Sequence, residues 1–199
     1  CDTPQWQAHR GTVGKVLLGE LHVLDENMQP CPKETPGTLW FKTATPFEYF
    51  NDPKRTAETR SADGSMSTVG DIGYVDDDGF LYLTDRATFM IVSGGVNIYP
   101  QECENLLITH PKVADAAVFG VPNEDLGEEV KAVVQPMPGI AADKALVDEL
   151  TEFCLKNLSR QKCPRSIDFI DEMPRLPTGK LYKRVLRDRY WGDRKSRIV

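Results

Sequence analysis

The stretch PRLPTGKLYKRVLR, residues 174–187, places Lys180 directly after a constrained turn. Pro174 and Pro177 stiffen its approach, Gly179 permits a tight bend, and a helix-like run follows to anchor the far side. Three chemistries suit a lysine so placed. It is a solvated turn residue, one charge of a basic patch for a polyanion, or a cation delivered to a phosphate, where it meets negative charge that shifts as an oxygen attacks phosphorus. Two further polar residues stand at element boundaries: Asp71, after Gly70, reads as a turn aspartate, and Arg86 as one half of a surface ion pair.

Charge bears on the polyanion reading. From Arg175 to Val199 nine Lys and Arg stand against two Asp, in a chain whose net charge is −6. The basic residues are spread through helix-like sequence with scattered aromatics, which fits a solvated helix face better than a nucleic-acid surface. Nucleic acid is therefore not the expected partner.

A chain of 199 residues, 40% hydrophobic and 27% charged, buries a core of one large domain or two small ones. No apolar run approaches the ~20 residues of a membrane-spanning helix, and CDTPQWQAHR lacks a secretion-signal pattern, so a soluble, cytoplasmic protein is expected. The chain starts without Met inside a polar stretch, which suggests a fragment of something longer. Five cysteines (Cys1, Cys31, Cys103, Cys154, Cys163) show no C-x-x-C spacing, so they read as reduced packing thiols, not a disulfide framework or a zinc site.

The elements that must position the polar residues fall into two parts. VGKVLLG, ELHVLD and GTLWFKT read as strands, and Asp78-Gly79 between IGYV and FLYL signals a hairpin. MIVSGGVNIY is a second hairpin around Ser93-Gly94-Gly95; Pro100 then opens a helix with Cys103, Leu106 and Leu107 on one stripe. VADAAVFGV (113–121) reads as a buried strand and EVKAVVQP (129–136) as a half-buried one. A helix spans Leu146 to Leu158 with Asp143 as its cap, SIDFID (166–171) is a strand, and a last helix runs from about Leu181 to Tyr190. The fold class is α+β: an all-β part, then a small α+β domain, divided near Thr84–Thr88.

Taken in order, VGDIGYVDDDGFLYLTDR, IVSGGVNIYPQECE and LPTGKLYKRVLR resemble the C-terminal portion of the adenylate-forming (AMP-binding) superfamily, and within it the acyl-CoA synthetases. The resemblance implies a β-rich, barrel-like subdomain over 1–84, a hinge over 85–88 and a mobile α+β C-terminal domain over 89–199. It also implies a missing N-terminal domain, with this chain roughly the last third of an enzyme and inactive alone. The implied reaction is that of an AMP-forming acid–thiol ligase of fatty acid or other lipid metabolism: a carboxylic acid and ATP give an acyl-adenylate and pyrophosphate, and coenzyme A then displaces AMP.

By the same resemblance Lys180 is the catalytic cation, bridging the acyl carboxylate and phosphate oxygens. Asp71 accepts hydrogen bonds from the ribose hydroxyls of ATP or AMP, and Arg86 contacts ribose or phosphate. Thr88 is the hinge about which the C-terminal domain rotates between half-reactions, and Ser93, Gly94 and Gly95 shape the CoA pantetheine channel. Magnesium accompanies ATP, but no metal ligand is expected in this chain. The sequence departs from the family pattern at Val69, where Thr is usual, at Ser65 and Met66, which lack an aromatic, at Asp85, where Gly is usual, and at Thr88, where Asp or Lys is common. Two other functions compete: an adenylating enzyme that passes the acyl group to a carrier protein or a luciferase-type oxidation, and a non-catalytic binding module using the basic C-terminus.

Overall fold

A computed structural model describes residues 1–192. Arg194, Lys195 and Arg197, part of the basic C-terminus, lie outside the described residues. The chain divides into two compact units, Cys1–Thr88 and Phe89–Val199.

Alternating apolar residues build the first unit. Strands β1 (Glu20–Leu24), β2 (Gly37–Lys42), β3 (Asp71–Val75) and β4 (Leu81–Arg86) form an antiparallel sheet in the order β1-β2-β3-β4. The sheet is open, not a closed barrel, and it buries Leu24, Leu39, Ile72, Phe80 and Leu81. The β3–β4 turn is an Asp-Gly hairpin: Gly79 takes φ +82°, and Asp76 accepts the N–H of Asp78 (3.1 Å) and of Phe80 (2.8 Å). Two short helices were not apparent from periodicity: α1 (Thr3–Ala8), held by a reciprocal Asp2–Gln5 capping box, and α2 (Pro53–Glu58), capped by Asp52.

One expected strand is absent. VGKVLLG makes only an isolated bridge, Gly14 to Leu81, and its Leu17 and Leu18 are 94% and 84% exposed. The cause lies in its glycines: Gly14 and Gly19 take φ +106° and +78°, which interrupts an extended run.

The second unit is a sheet covered on both faces. It comprises β5 (Ile91–Ser93), β6 (Val96–Ile98), α3 (Pro100–Leu107), β7 (Val113–Asn123), β8 (Gly127–Pro136), α4 (Lys144–Asn157), a 3-10 turn (Arg160–Lys162), β9 (Ser166–Phe169) and α5 (Lys183–Trp191). The strand order is β6-β5-β8-β7, antiparallel throughout, with β9 parallel to β8. One face packs Val118, Val130, Ala132 and Val134 against α3 and α4 through Cys103, Leu107, Leu146 and Leu150. The other packs Ala117, Phe119 and Val133 against Met173 and Leu186, the latter from α5. Strand β8 is therefore buried on both sides, although its sequence reads as half-buried, because α5 covers the face that the alternation leaves to solvent.

All five cysteines are free thiols, three of them buried. Contact with Cys154 and burial push the Cys103 thiol up, so it stays protonated.

Candidate functional site

Asp71 and Arg86 meet because β3 and β4 pair. They are cross-strand partners at the open end of the hairpin, with Arg86 Nε 3.2 Å from Asp71 Oδ1. The pair stays accessible: the side chains are 25% and 53% exposed, respectively. The approach to Asp71 is set by Thr68, one place before the position that the family pattern singles out. Its buried hydroxyl donates to Leu39 O (2.7 Å) and accepts from Gly70 N–H (3.0 Å), while Gly70 O accepts from Ala87 N–H (2.8 Å). Val69, in the usual threonine position, points its side chain to solvent. Thr68 thus ties the turn before Asp71 to β2. A carboxylate and a guanidinium presented together suit a vicinal diol beside a phosphate.

Ser93, Gly94 and Gly95 form the β5–β6 turn. Gly94 and Gly95 take φ +57° and +79°, the two positive values of a type I′ hairpin, with Ser93 paired to Val96. Gly94 N–H donates to Leu126 O (2.9 Å), and a Cβ on Gly94 would sit 3.2 Å from the Leu126 side chain. A cavity of about 530 Å³ opens beside this turn, lined by Ser93, Gly94, Val96, Leu126, Cys163 and Arg165 among others. Gly94 and Ser93 leave one side of the cavity open at the turn, while Arg160 and Arg165 bring positive charge to its lining.

Two glutamates that sequence reasoning passed over support these loops. Glu128 is buried, and its Oε2 accepts the N–H of Val92, next to Ser93 (3.0 Å). Gly120 makes room for it, since a Cβ there would lie 2.7 Å from that oxygen. Glu104 of α3 accepts the N–H of Val118 and meets Lys183 of α5 at 2.7 Å, with side chains only 6% and 8% exposed. Lys183 Nζ also lies over the Phe89 ring, 5.0 Å from its centroid. A reading of the basic run as a solvated face hides Lys183. Its only sequence signal is that a helix facing a core must bury one of its positions.

Lys180 is exposed on the loop that precedes α5. Gly179 N–H donates to Leu176 O (2.8 Å), Leu176 N–H to Lys180 O (2.9 Å), and Gly179 takes φ +82°, the pattern of a three-residue hairpin loop ending in a left-handed residue. Arg175 Nη1 donates to Gly179 O (2.7 Å), and its Nη2 pairs with Asp115 of β7. The structure thus brings Asp71 to Arg86 and groups Ser93 with the two glycines. Lys180 projects from a separate loop and does not line the Ser93 cavity. Thr88 is the last residue of the first unit.

Among the described residues no group of three or more His, Cys, Asp or Glu is arranged to hold a metal ion. No described helix is long and apolar enough to cross a membrane.

Residues 102–180 match the model of the AMP-binding enzyme C-terminal domain. The chain is 45% identical over 140 residues to the 7a-methyl-1,5-dioxo-octahydro-1H-inden-4-yl propanoyl:CoA ligase of Rhodococcus jostii (strain RHA1), a match covering 70% of this chain and 26% of that protein. It is 41% identical over 177 residues to the fatty acid–acyl-carrier-protein ligase ScoC of Streptomyces coeruleorubidus, covering 88% of this chain and 33% of that protein. Among solved structures, ATP-bound MatB from Rhodopseudomonas palustris superposes with a TM-score of 0.80 at 32% identity, covering 92% of this chain and 36% of that one. The chain spans about a third or less of the curated relatives' length, 26% and 33% in these two.

Proposed function

Since the chain belongs to the adenylate-forming enzymes and carries their AMP-binding C-terminal domain, we propose that it is the C-terminal part of an AMP-forming acid–thiol ligase. The ligase joins a carboxylic acid to ATP, releases pyrophosphate, and transfers the acyl group from the adenylate to coenzyme A. The observation that carries this reading is the Lys180 turn: a lysine held on a hairpin closed by backbone hydrogen bonds at both ends, on a unit separate from the Asp71–Arg86 pair.

In the first half-reaction the ammonium of Lys180 lies against the carboxylate and α-phosphate oxygens, where it stabilises charge as the acyl oxygen attacks phosphorus and the bond to pyrophosphate breaks. Asp71 accepts from the ribose hydroxyls and Arg86 donates to ribose or phosphate. In the second, the chain pivots at Thr88, Lys180 withdraws, and the Ser93-Gly94-Gly95 turn borders the pantetheine arm. The 530 Å³ cavity beside that turn and the tight fit of Gly94 against Leu126 support this assignment. Magnesium travels with ATP; the described residues offer it no donor set, so no step here runs through it. The acid is apolar, a fatty acid or a ring-bearing one, as the names of the two relatives suggest, and the enzyme works in the cytoplasm.

Carboxylate-dependent ATP–pyrophosphate exchange tests the reading. In the intact enzyme Lys180→Ala lowers exchange by about 10²- to 10³-fold, the effect of one preorganised electrostatic contact, with ATP binding retained. The 199-residue chain alone shows no exchange. Wild-type exchange in Lys180→Ala would sink the assignment and favour a binding module.

The similarity to ScoC favours a second acceptor, a carrier-protein phosphopantetheine. Supplying the preformed adenylate with either CoA or a phosphopantetheinylated carrier separates the two: CoA alone suffices on the first reading.

A further inference from the structure

We infer that Arg175 is a positioning residue for Lys180, anchored on Asp115. The inference rests on the adenylating reading above and adds to it the device that aims the lysine.

Backbone hydrogen bonds alone leave the Lys180 hairpin half-fixed. Lys180 O is held by Leu176 N–H at 2.9 Å, and after the turn Tyr182 N–H donates to Pro174 O at 2.8 Å. The carbonyl on the other side of the Lys180 Cα, that of Gly179, faces no backbone donor in this ladder. Gly179 has φ +82° and open space around its Cβ position, so no side-chain packing holds this residue in place. Arg175 supplies what is missing: its Nη1 donates to Gly179 O at 2.7 Å. Both carbonyls flanking the Lys180 Cα are then fixed, and only the lysine's own side-chain torsions stay free.

The other arm of the guanidinium ends on a rigid support. Nη2 pairs with Asp115, whose second oxygen accepts the N–H of Ala116 at 2.9 Å. Asp115 sits on β7 where the ladder shifts register, directly before Ala116 and Ala117, which are buried in the two cores. The path from sheet to lysine is Asp115 carboxylate, Arg175 guanidinium, Gly179 carbonyl, Lys180 backbone. A planar fork spans two acceptors at once, which a lysine ammonium on a flexible stem does less well. Arg175 and Asp115 are 47% and 20% exposed, so the pair adds little to global stability and much to the local direction of one side chain.

The test uses the intact enzyme and reads the two half-reactions apart. Arg175→Ala is expected to lower kcat of ATP–pyrophosphate exchange by about 10- to 100-fold, the range expected of a misplaced catalytic group. KM for ATP and thioester formation from supplied acyl-adenylate stay within about twofold, since neither uses the aimed lysine. Arg175→Lys recovers part of the loss, Asp115→Asn lowers exchange in the same direction, and the double variant is no worse than Arg175→Ala alone. Equal losses in both half-reactions with a fallen Tm, a raised ATP KM at unchanged kcat, or additive losses in the double variant would each overturn the positioning role. Failure of the underlying reading looks different: the unsubstituted enzyme then gives no exchange, or Lys180→Ala leaves it unchanged.

Discussion

The two units hold their polar groups in opposite ways. In the first, Asp71 and Arg86 meet at the accessible end of a hairpin on an open sheet, and large apolar residues such as Leu17, Leu18 and Phe50 stand almost wholly in solvent. In the second, Glu104–Lys183 and Glu128 are enclosed between a sheet and helices on both of its faces. On the proposed reading a ligand reaches the first pair because water still does. The buried groups are almost closed off from solvent and act through what they hold still: Glu104 and Lys183 tie α3 to α5 just after the Lys180 turn, and Glu128 ties β8 to the Ser93 turn. On the proposed reading the ionic residues of this chain divide into readers and braces, and burial decides which is which.

That division is sharpest where breaking it costs most. Lys183→Met removes the cation 2.7 Å from the buried Glu104 carboxylate, so the second unit should lose about 3–5 kcal/mol of stability. Hydrogen exchange resolved along the chain checks this: protection falls in α3, β7 and α5 and is unchanged in β1–β4. A uniform fall across both units would break the comparison. Gly120→Ala comes next. The new methyl collides with Glu128, and overpacking of this kind costs about 1–3 kcal/mol in urea denaturation, with faster exchange at the Val92 N–H.

A further brace titrates. Tyr190 donates to Asp168 Oδ2 (2.7 Å), which also pairs with Lys131 (3.0 Å), and Lys131 lies over the Tyr190 ring. Partial burial and the Asp168 carboxylate push the phenol up to about 12. The folded state thus holds its proton more tightly than the unfolded one, whose phenol titrates near 10. The stability this lends is fully present below pH ~10 and is lost as pH rises through about 12. Tyr190→Phe should flatten that alkaline limb and lower neutral-pH stability by about 0.5–1.5 kcal/mol, the usual worth of one hydrogen bond. An unchanged alkaline limb in the variant would assign the pH dependence elsewhere.

The smallest stability effect belongs to the reader. Arg86→Ala removes an accessible ion pair and should shift the unfolding free energy by at most about 1 kcal/mol. On the proposed reading it nevertheless raises the KM for ATP in the intact enzyme. A large stability loss with unchanged KM would make Arg86 a brace and erase the contrast.

Much of this was legible from residue order. The hairpin at Asp78-Gly79, the glycine turn at 94–95, the helix opened by Pro100 and the cap at Asp143 are local: each rests on a φ preference or a hydrogen bond within a few residues, so the types and spacing suffice. Lys180 on its turn was legible for the same reason. VGKVLLG misled because its apolar residues suit a strand while Gly14 and Gly19 break one.

What the chain's order alone determined, then, is where turns and caps fall, which polar residues sit on them, and the family whose motifs they spell. Only the tertiary structure decided the rest. It set Thr68 under the Asp71 turn, made β8 a core strand on both faces, and chose Lys183 out of a basic run as the one enclosed against Glu104. It also joined Arg175 to an aspartate 60 residues away. These outcomes depend on which distant segment covers a face and so on how far a charge is removed from water. No short window of sequence contains that information, because the same lysine is a solvated charge on one side of a helix and a buried brace on the other.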